Sequence, residues 1–462
     1  MAMQPNSPEA RDVAYLLHPY TKLKTHEKTG PLIMSRGEGV YVWDNGGNKY
    51  LEGMAGLWST SLGFNEERLI AAATEQMRVL PYYHQFAQKS HLPGIDLAER
   101  LINMAPGKMS KVIFSNSGSE ANDTAMKLIW YYNNARGRHH KKKIISRMQG
   151  YHGVTIASAS LTGKPNNHQG FDLPIANVLH TENPHYYRAG QDGESEEDFA
   201  TRMAAALEEM ILAEGPETVA AFIAEPIQGA GGVIIPPATY WQKIQPILKK
   251  YDVLLSVDEV ICGFFRTGNT WGSETFDINP DIVTCAKALS SSYLPISATM
   301  VSEEIFNAIS QRSDDLGGLG HGYTYTGHPV CAAVALETLK IYEERDFLGH
   351  VQKVSRQFEA RMRGLDDHPL AGEVCNRGLI GAIEVVADKT SKQAFDPSLG
   401  VGQMVGTLCH SHGLVLRPLA DRVAICPPLI ITEAEIDELF DKLTMSLDQA
   451  ADQLTRDGVR VA

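Results

Sequence analysis

Three apolar segments, AAFIAE (residues 220–225), VLLSVD (residues 253–258) and DIVTCAK (residues 281–287), each end in one ionisable residue. Continuous apolar runs of this length are typical of parallel strands that are buried on both faces. A single charged residue after a strand is usually the solvated start of a loop. Three of them suggest a site, because the carboxyl ends of parallel strands meet at the ligand-binding edge of an open sheet. We therefore predict that Glu225, Asp258 and Lys287 lie together and that Asp258 faces a desolvated Lys287, as in a cofactor site.

Helical periodicity separates these strands, as in the apolar series Trp241, Ile244, Ile247 and Leu248. Alternation of strands and helices favours a largely parallel sheet that is covered on both faces, and hence an α/β fold. The patterns predict helices from about residue 66, at 96–104 and from Ser119, and strands at residues 40–43, 49–51, 112–114 and 143–146.

The pattern changes after Pro329 to a long helix with a break near Asp346, followed by short strands around residues 378–386 and 414–417. The last helix is predicted to start at Thr432, with Glu435 completing a capping box. These features indicate a second, smaller domain. We predict an N-terminal segment over residues 1–60 that is part of the small domain, a large domain over 61–329 and a C-terminal small domain over 330–462.

The charge balance argues against nucleic-acid and membrane-surface partners. The 462 residues include 42 Lys and Arg against 55 Asp and Glu, a formal net charge of −13 that repels phosphate backbones and anionic lipid. No apolar run approaches the length of a membrane span, and the opening residues do not resemble a signal peptide. The six cysteines form no CxxC or metal motif. We expect a cytoplasmic protein without a bound metal.

A second group of residues predicts a phosphate site. SNSGSEAN (residues 115–122) lies between a predicted strand and a predicted helix, where Ser117, Gly118 and Ser119 offer hydroxyls and a close backbone approach to an anion. The alternative is a plain helix cap. Further on, Tyr151-His152-Gly153 follows a strand, and the tyrosine could stack on a planar ring or simply form the edge of the core.

Other catalytic motifs fail on inspection. GAGGVI (residues 229–234) lacks the third glycine of a dinucleotide fingerprint, and Asp258-Glu259 has no Walker A partner elsewhere in the chain. The run HHKKK (residues 139–143) is a short basic stretch in an acidic protein, best interpreted as a solvated loop. The sequence therefore favours neither a dehydrogenase nor an NTPase.

Taken together, SNSGSEAN, Tyr151-His152-Gly153, EPIQGAGG (residues 225–232), SVDEVICGFFRTG (residues 256–268), Lys287 and GYTYTGHP (residues 322–329) resemble the class III, or omega-amino acid, aminotransferases of fold type I. The resemblance runs nearly end to end and is strongest to the amine–pyruvate transaminase branch. It implies a large domain with a mainly parallel seven-stranded sheet and a smaller α+β domain. It also implies a pyridoxal 5′-phosphate cofactor and a homodimer with shared active sites, or a tetramer that contains such dimers.

The resemblance gives Lys287 and Asp258 the catalytic roles. Lys287 holds the cofactor as a Schiff base and then moves a proton between the substrate Cα and the cofactor C4′, while Asp258 keeps the pyridine nitrogen protonated. Thr324 is expected to reach the phosphate of the neighbouring subunit. The cofactor-binding residues that the resemblance implies are Ser117, Gly118, Ser119, Tyr151, His152, Glu225, Asp258, Val260, Lys287 and Thr324.

The resemblance also places a mostly apolar substrate pocket near the cofactor. In it Arg417 is expected to pair with the carboxylate of a keto acid and to swing away for bulky amines. Ala230 stands where ornithine and gamma-aminobutyrate relatives have a glutamate, which favours pyruvate over 2-oxoglutarate as acceptor. The expected donors are polyamines, beta-alanine, taurine or arylalkylamines, with S preference. The implied pocket residues are Tyr20, Leu57, Trp58, Phe86, Tyr151, Ala230, Tyr323 and Arg417.

Alternatives remain open at this point. A glutamate-linked omega-amino acid aminotransferase, an aminomutase or decarboxylase of the same fold, and a binding protein that has lost catalysis all share this framework. The segment KALSSSYLPISA (residues 287–298) also departs from the family, because Ala288, Ser292 and Ser297 stand where many members have glycines. The pocket around Tyr293 is therefore the part that the resemblance defines least.

Overall fold

The computed structural model describes residues 4–459; residues 1–3 and 460–462, which belong to the predicted N-terminal segment and small domain, lie outside the described residues. The helices are α1 Pro8–Tyr15, α2 Leu23–Thr29, α3 Ala55–Trp58, α4 Glu67–Val79, α5 Leu92–Met104, α6 Gly118–Ala135, α7 Ile156–Leu161, α8 Tyr186–Ala189, α9 Glu196–Glu214, α10 Tyr240–Lys250, α11 Gly272–Thr275, α12 Glu303–Asp315, α13 Pro329–Glu344, α14 Phe347–Arg363, α15 Val401–Ser411 and α16 Glu433–Arg456. The strands are β1 Met34–Glu38, β2 Tyr41–Asp44, β3 Lys49–Glu52, β4 Met109–Ser115, β5 Lys143–Arg147, β6 Val178–Thr181, β7 Val219–Ala224, β8 Leu254–Asp258, β9 Ile282–Cys285, β10 Ser297–Ser302, β11 Ala371–Arg377, β12 Ile380–Val385, β13 Leu414–Val415, β14 Arg417–Leu419 and β15 Arg422–Ile425.

The central element is a sheet of the seven strands β4-β10-β9-β8-β7-β5-β6, in that order, within the described chain. Strands β6, β5, β7, β8 and β9 pair in parallel, and β10 pairs antiparallel with both β9 and β4. Every residue of β7, β8 and β9 is buried, which explains their unbroken apolar sequences. The mainly parallel seven-stranded sheet of the α/β fold is therefore confirmed.

Element boundaries differ from the sequence predictions in places where local signals were weak. The helix predicted at 96–104 begins at Leu92, because Pro93 is tolerated in the first turn and the His91 side chain caps Gly94 N–H. The strand predicted at 112–114 begins at Met109. Five strands that depend on tertiary partners were not predicted, namely the partly exposed β1, β6 and β11 and the buried β10 and β15.

Two smaller sheets flank the central one. The antiparallel sheet β11-β12-β15-β14 is built from the last hundred residues, and in the sheet β1-β2-β3-β13 the N-terminal β3 pairs in parallel with the C-terminal β13. The predicted helix break is found at Asp346, which adopts a left-handed φ of 44° between α13 and α14. Thr432 and Glu435 form the predicted capping box of α16. The division of the chain at residues 60 and 329 stays a prediction, with which the β3–β13 pairing is consistent.

Two further findings concern the surroundings of the chain. Among the described residues, no helix is both long enough and apolar enough to cross a membrane. All six cysteines are free thiols, and five of them are buried.

Glu52, at the end of β3, is a buried carboxyl group whose ionisation opposes folding. Its Oε1 accepts a hydrogen bond from Met54 N–H at 2.8 Å, and burial raises the pKa of Glu52 from its ordinary value of 4.5 to about 7. The folded state thus binds a proton more tightly than the unfolded state, so this residue's contribution to stability falls as the pH rises from about 4.5 to about 7.

We expect Glu52→Gln to stabilise the protein at pH 8 but to change its stability little at pH 5. The difference corresponds to at most about 3 kcal/mol, because one pKa unit is about 1.4 kcal/mol. Thermal unfolding of both proteins between pH 5 and pH 8 measures it, with the exposed Glu99→Gln as a matched control. A gap in Tm that stays constant across this range would contradict the assignment.

Candidate active site

The three ionisable residues at the strand ends lie at one edge of the central sheet. Glu225 follows β7, Asp258 is the last residue of β8, and Lys287 follows β9. Burial lowers the pKa of the Lys287 amine, while the charges of Asp258 and Glu225 oppose that shift. The structure therefore brings together the three residues that the strand pattern predicted, with the strand of Asp258 between those of Lys287 and Glu225.

Asp258 is held by hydrogen bonds from three directions. Its Oδ2 lies 2.9 Å from His152 Nδ1 and accepts from Asn122 Nδ2 at 2.8 Å, and its Oδ1 accepts from Val260 N–H at 3.1 Å. Asn122 is itself fixed, because its Oδ1 accepts from Thr284 Oγ1 on β9 at 2.9 Å. The aspartate is thus immobilised with its carboxylate aimed in one direction, as a group that must hold a fixed charge requires.

Glu225 connects two loops that border the site. Its Oε1 accepts from Tyr151 N–H and its Oε2 accepts from Gly229 N–H, both at 2.9 Å. Burial raises the pKa of the Glu225 carboxyl group, with the nearby Asp258 charge adding to that rise. Glu225 therefore fixes the loop that carries Tyr151 and the loop that carries Ala230 against the same strand end.

The predicted phosphate site is the amino end of the 18-residue helix α6. Ser117 is its N-cap and accepts from Glu120 N–H at 3.2 Å, and Ser119 Oγ accepts from Val154 N–H at 3.1 Å. The first N–H groups of a helix have no partner within the helix, so the Gly118 and Ser119 amides are available to an anion. The helix dipole adds positive potential there.

Glycines keep this end of the site open. A Cβ on Gly118 would lie 3.2 Å from the Val260 side chain, and one on Gly153 would lie 2.4 Å from Ser158 Oγ and 2.5 Å from Ser119 Oγ. Val260 therefore lies against the same turn that presents the free amides. A cradle for phosphate, a fixed aspartate and a desolvated lysine together fit pyridoxal 5′-phosphate, which needs an anion site, a partner for its ring nitrogen and an amine.

The side-chain amine of Lys287 has no hydrogen-bond partner within the described residues. Among residues 4–459 its Nζ also makes no ion pair, although both acids are close enough to shift its pKa. Its backbone has a left-handed φ of 49°, and Ser291 and Ser292 that follow have φ of 49° and 59°. Such backbone angles are unfavourable for side-chain-bearing residues and persist where the surroundings enforce them, as at functional sites.

The three departures from the family have clear positions in the structure. Ser292 occupies a left-handed conformation, which explains why glycine is common there. Ala288 is buried and its carbonyl accepts from Tyr342 OH at 2.7 Å. Ser297 Oγ donates to Ser117 O at 2.8 Å and so supports the base of the phosphate site. None of these residues blocks the site.

Tyr20, Tyr151 and Arg417 form one wall of the predicted substrate pocket. Burial raises the pKa of Tyr151, and Tyr20 raises it further through charge and a hydrogen bond, whereas Arg417 lowers it. Tyr20 OH accepts from Asn167 Nδ2 at 2.6 Å. Burial lowers the pKa of the Arg417 guanidinium, which has no acidic partner within the described part of the chain.

Lys164 adds a second cation to this wall. Its Nζ donates to Ala230 O at 2.6 Å, burial lowers its pKa, and the charge of Arg417 lowers it further. Ala230, which stands where the gamma-aminobutyrate relatives have a glutamate, therefore accepts a hydrogen bond from Lys164 through its backbone carbonyl. The pocket carries positive potential on this side.

Leu57 and Trp58 lie on the distorted turn α3, where Gly56 and Leu57 are outside helical dihedral angles. Trp58 is buried and its Nε1 has no hydrogen-bond partner among the described residues, whereas Leu57 is exposed. Trp58 shares an apolar cluster with Cys426, which acts electrostatically on Lys287. That this turn lines the substrate pocket stays a prediction.

Phe86, Tyr323 and Thr324 lie together in a partly exposed group. A Cβ on Gly322 would lie 2.6 Å from the Phe86 ring, and Tyr82 OH donates to Thr324 O at 2.8 Å. Tyr323 OH donates to Glu120 O at 3.2 Å in α6, the helix whose amino end is the predicted phosphate site. Within residues 4–459, no hydrogen bond joins Phe86 or Thr324 to the strand-end acids or the lysine. That Thr324 reaches the phosphate of a neighbouring subunit stays a prediction.

Sequence reasoning missed Asn122, Thr284 and Lys164. Asn122 lies inside the quoted SNSGSEAN motif, one turn into α6, and its polar side chain on a buried helix face was the signal. Thr284 is a hydroxyl in an otherwise apolar strand, three residues before Lys287. Lys164 follows Gly163, but no Ser or Thr of a Walker A motif comes after it, and nothing local marks it as half-buried.

Comparison with known proteins agrees with this geometry. A model of the family described as aminotransferase class-III matches residues 23–447. The gamma aminobutyrate transaminase 3, chloroplastic, of Solanum lycopersicum is 51% identical over 433 residues, which covers 94% of this chain and 83% of that protein.

Solved structures are equally similar. The omega transaminase from Pseudomonas jessenii in complex with PMP is 52% identical, has a TM-score of 0.96 and aligns over 97% of this chain and 99% of its own. A structure described as a transaminase with L-ala is 54% identical, has a TM-score of 0.91 and aligns over 92% of this chain and 100% of its own.

Proposed function

Because this chain belongs to the class III aminotransferase family, we propose that it transfers the amino group of an omega-amine or a related amine to pyruvate, giving an aldehyde or ketone and alanine. The protein is a transaminase and uses pyridoxal 5′-phosphate. That cofactor supplies an electron-accepting ring and a carbon that carries the amino group between two substrates. Binding, orientation and proton movement are the work of the chain's own residues.

Lys287 is proposed to bind the cofactor and to move the proton at the substrate Cα. Because burial lowers its pKa, its amine reaches the neutral, nucleophilic form more easily than a lysine in water. Asp258 is proposed to hold a proton on the ring nitrogen, oriented by His152 and Asn122. Ser117, Gly118 and Ser119 are proposed to bind the phosphate.

The unpaired Arg417 carries the proposal for a keto acid acceptor. A half-buried guanidinium with no acidic partner in residues 4–459 favours a ligand that brings its own carboxylate. Ala230 contributes no carboxylate to neutralise it, and Lys164 beside it strengthens the positive potential. Pyruvate, a small keto acid with one carboxylate, fits this charge pattern.

The donor is proposed to be an amine or omega-amino acid. Curated relatives are named as gamma-aminobutyrate transaminases, and a structural relative is a variant described as engineered for bulky amines. Both kinds of donor suit a pocket in which Arg417 lies opposite apolar and aromatic side chains. Among arylalkylamines the S enantiomer is the proposed substrate. A glutamate-linked enzyme and an aminomutase are the alternatives.

A stepwise absorbance titration tests this proposal. Purified holoenzyme receives putrescine, taurine, beta-alanine, gamma-aminobutyrate or 1-phenylethylamine separately, and then pyruvate or 2-oxoglutarate. We expect an amine to bleach the visible band of the bound cofactor and pyruvate to restore it. Restoration by 2-oxoglutarate alone would place the protein in the glutamate-linked branch. Product formed without any acceptor would indicate an aminomutase.

We expect Arg417→Ala to weaken carboxylate-bearing substrates selectively. A charged hydrogen bond is worth about 1.5–3 kcal/mol, so kcat/KM for pyruvate and beta-alanine should fall about 10–100-fold. The half-reaction with 1-phenylethylamine, which has no carboxylate, should change little. Single-turnover kinetics on both donors measure this, with the exposed Arg356→Ala as a matched control. Equal losses for the two donors would remove the role of Arg417.

A homodimer with shared sites is proposed as the working unit. Tyr82, Phe86 and Tyr325 are 38%, 45% and 59% exposed, and the Tyr82 and Tyr325 rings pack edge to face 6.0 Å apart. Exposed clusters of large aromatic side chains mark protein interfaces. Thr324 lies in this cluster, as a residue that reaches a neighbouring subunit should. Assembly of two such dimers into a tetramer remains open.

A cytoplasmic location is also a proposal. It rests on six free cysteines and on the net charge of −13. Curated relatives from plants carry mitochondrial or chloroplastic names, which apply to those proteins.

A further inference from the structure

The N-terminal helices have little apolar packing. Neither α1 nor α2 contains a buried residue, and polar contacts hold them instead. Asn45 Nδ2 donates to Glu9 Oε1 at 2.5 Å. The other contacts converge on Asp12, in α1, from His18 in the connecting loop and His26 in α2. The two helices are therefore connected to each other largely through one carboxylate.

Two imidazoles meet at a single oxygen of that carboxylate. His18 Nε2 lies 2.8 Å and His26 Nε2 lies 3.1 Å from Asp12 Oδ1. The three atoms all lie within 4.8 Å of one another, and the two rings are 4.2 Å apart at an angle of 44°. The side chains of Asp12 and His26 are 15% and 10% exposed, so only one side of the group opens to solvent.

This arrangement matches the donor set of a zinc site. Zinc binds imidazole nitrogen and carboxylate oxygen at about 2.0–2.2 Å in tetrahedral geometry, which puts neighbouring ligand atoms about 3.3 Å apart. The two observed N–O separations, 2.8 and 3.1 Å, are about half an ångström or less below that value. We propose that Asp12, His18 and His26 bind one divalent transition-metal ion, Zn²⁺ among the common ones, with water as the fourth ligand.

A second cluster of histidine and carboxylate side chains differs from the Asp12 group because an arginine already pairs with it. His185, Glu373 and Glu384 also lie close together, but the Arg422 guanidinium pairs with both carboxylates, with Nη1 at 2.6 Å from Glu384 Oε2. That cluster already holds its cation. At Asp12, within the described chain, no lysine or arginine forms such a pair. Spacings of six and eight residues match no common metal motif, so the site could not be predicted from the sequence.

The proposed ion would restrain a pocket residue. Tyr20 lies between His18 and His26, has a left-handed φ of 51° and makes a hydrogen bond with Asn167. The metal ligands His18 and His26, which precede and follow Tyr20 in the sequence, connect its loop to α1 and α2 when the ion is bound. The loop is then already ordered, so it loses less conformational entropy when substrate binds. The effect on substrate rests on the proposed function, whereas metal binding itself does not.

Calorimetric titration of chelator-treated holoenzyme with Zn²⁺ tests the site. We expect one strong Zn²⁺ site per subunit in the native chain. In His26→Ala, and in the milder His26→Gln, the affinity of this site for Zn²⁺ should fall by at least about tenfold. His140→Ala, which removes an exposed histidine elsewhere, is the matched control. A second readout is cleavage by trypsin at Lys22, Lys24 and Lys28, which Zn²⁺ should slow in the native chain and not in the His26 variants.

Two results would overturn the proposal. One is the absence of a Zn²⁺ site in the native holoenzyme at micromolar concentrations. The other is binding of equal strength and stoichiometry in the native chain and both His26 variants, since the ion would then lie elsewhere, for example at the cofactor phosphate. Because these readouts need no turnover, failure here leaves the transaminase assignment intact.

Discussion

Replacing Lys287 with alanine is expected to lower transamination about 10⁴-fold or more, because the residue combines nucleophilic and acid–base roles. Its amine is close enough to Asp258 and Glu225 for their charges to act on it, and burial lowers its pKa. Lys164, whose Nζ is directed to Ala230 O, is not placed to replace it. Steady-state assays with the best donor and pyruvate measure the loss.

Cofactor binding separates loss of chemistry from loss of the site. The Ser117–Ser119 turn and the Asp258 cluster are intact without the lysine, so Lys287→Ala should still retain cofactor. Borohydride reduction followed by mass spectrometry should attach cofactor to the Lys287 peptide of the native chain and to no peptide of the variant. Lys249→Ala, which removes an exposed lysine outside the site, should keep most of the activity. Turnover by Lys287→Ala within about a hundredfold of native would contradict its role.

The central sheet was readable from sequence because its strands are buried on both faces. β7, β8 and β9 have no polar alternation to confuse the pattern, and their last residues carry the chemistry. β10 escaped prediction although it is also buried, because antiparallel placement between β9 and β4 depends on partners far apart in sequence. The two-residue β13 exists only through pairing with β3.

The residues of the candidate site also fall into those that local sequence signals predict and those that only tertiary contacts place. Residues placed by a local signal, such as the N-cap Ser117 and the strand-end Asp258, lie where the sequence predicted them. Residues placed by tertiary contacts were not found, as with Asn122, which joins Asp258 to Thr284. Asp12 and His26 meet only through the path of the connecting loop. Side-chain convergence over such distances leaves no periodic trace in a sequence.

Asp258→Asn is expected to lower kcat about 10²- to 10³-fold while leaving the shape of the site unchanged. The amide has the same size, and Asn122, His152 and Val260 still surround it. The negative charge that would hold a proton on the ring nitrogen is removed, and with Nδ2 at the Oδ1 position the side chain also loses the hydrogen bond from Val260 N–H. Loss of one preorganised electrostatic partner costs about 3–4 kcal/mol in the transition state, which corresponds to that range.

The neighbouring Glu259 provides a matched control for this change. Burial raises its pKa to about 7, and its carboxylate accepts from Gly272 N–H at 3.0 Å and from Ser273 N–H and Oγ at 2.6 Å, away from the cluster at Asp258. Glu259→Gln should therefore affect stability more than kcat. Single-turnover rates and cofactor dissociation constants of both variants separate the effects. If the two substitutions lowered kcat equally, the lost charge of Asp258 at the cofactor ring would not be the cause of the fall in kcat. Asp258 would then act only through folding.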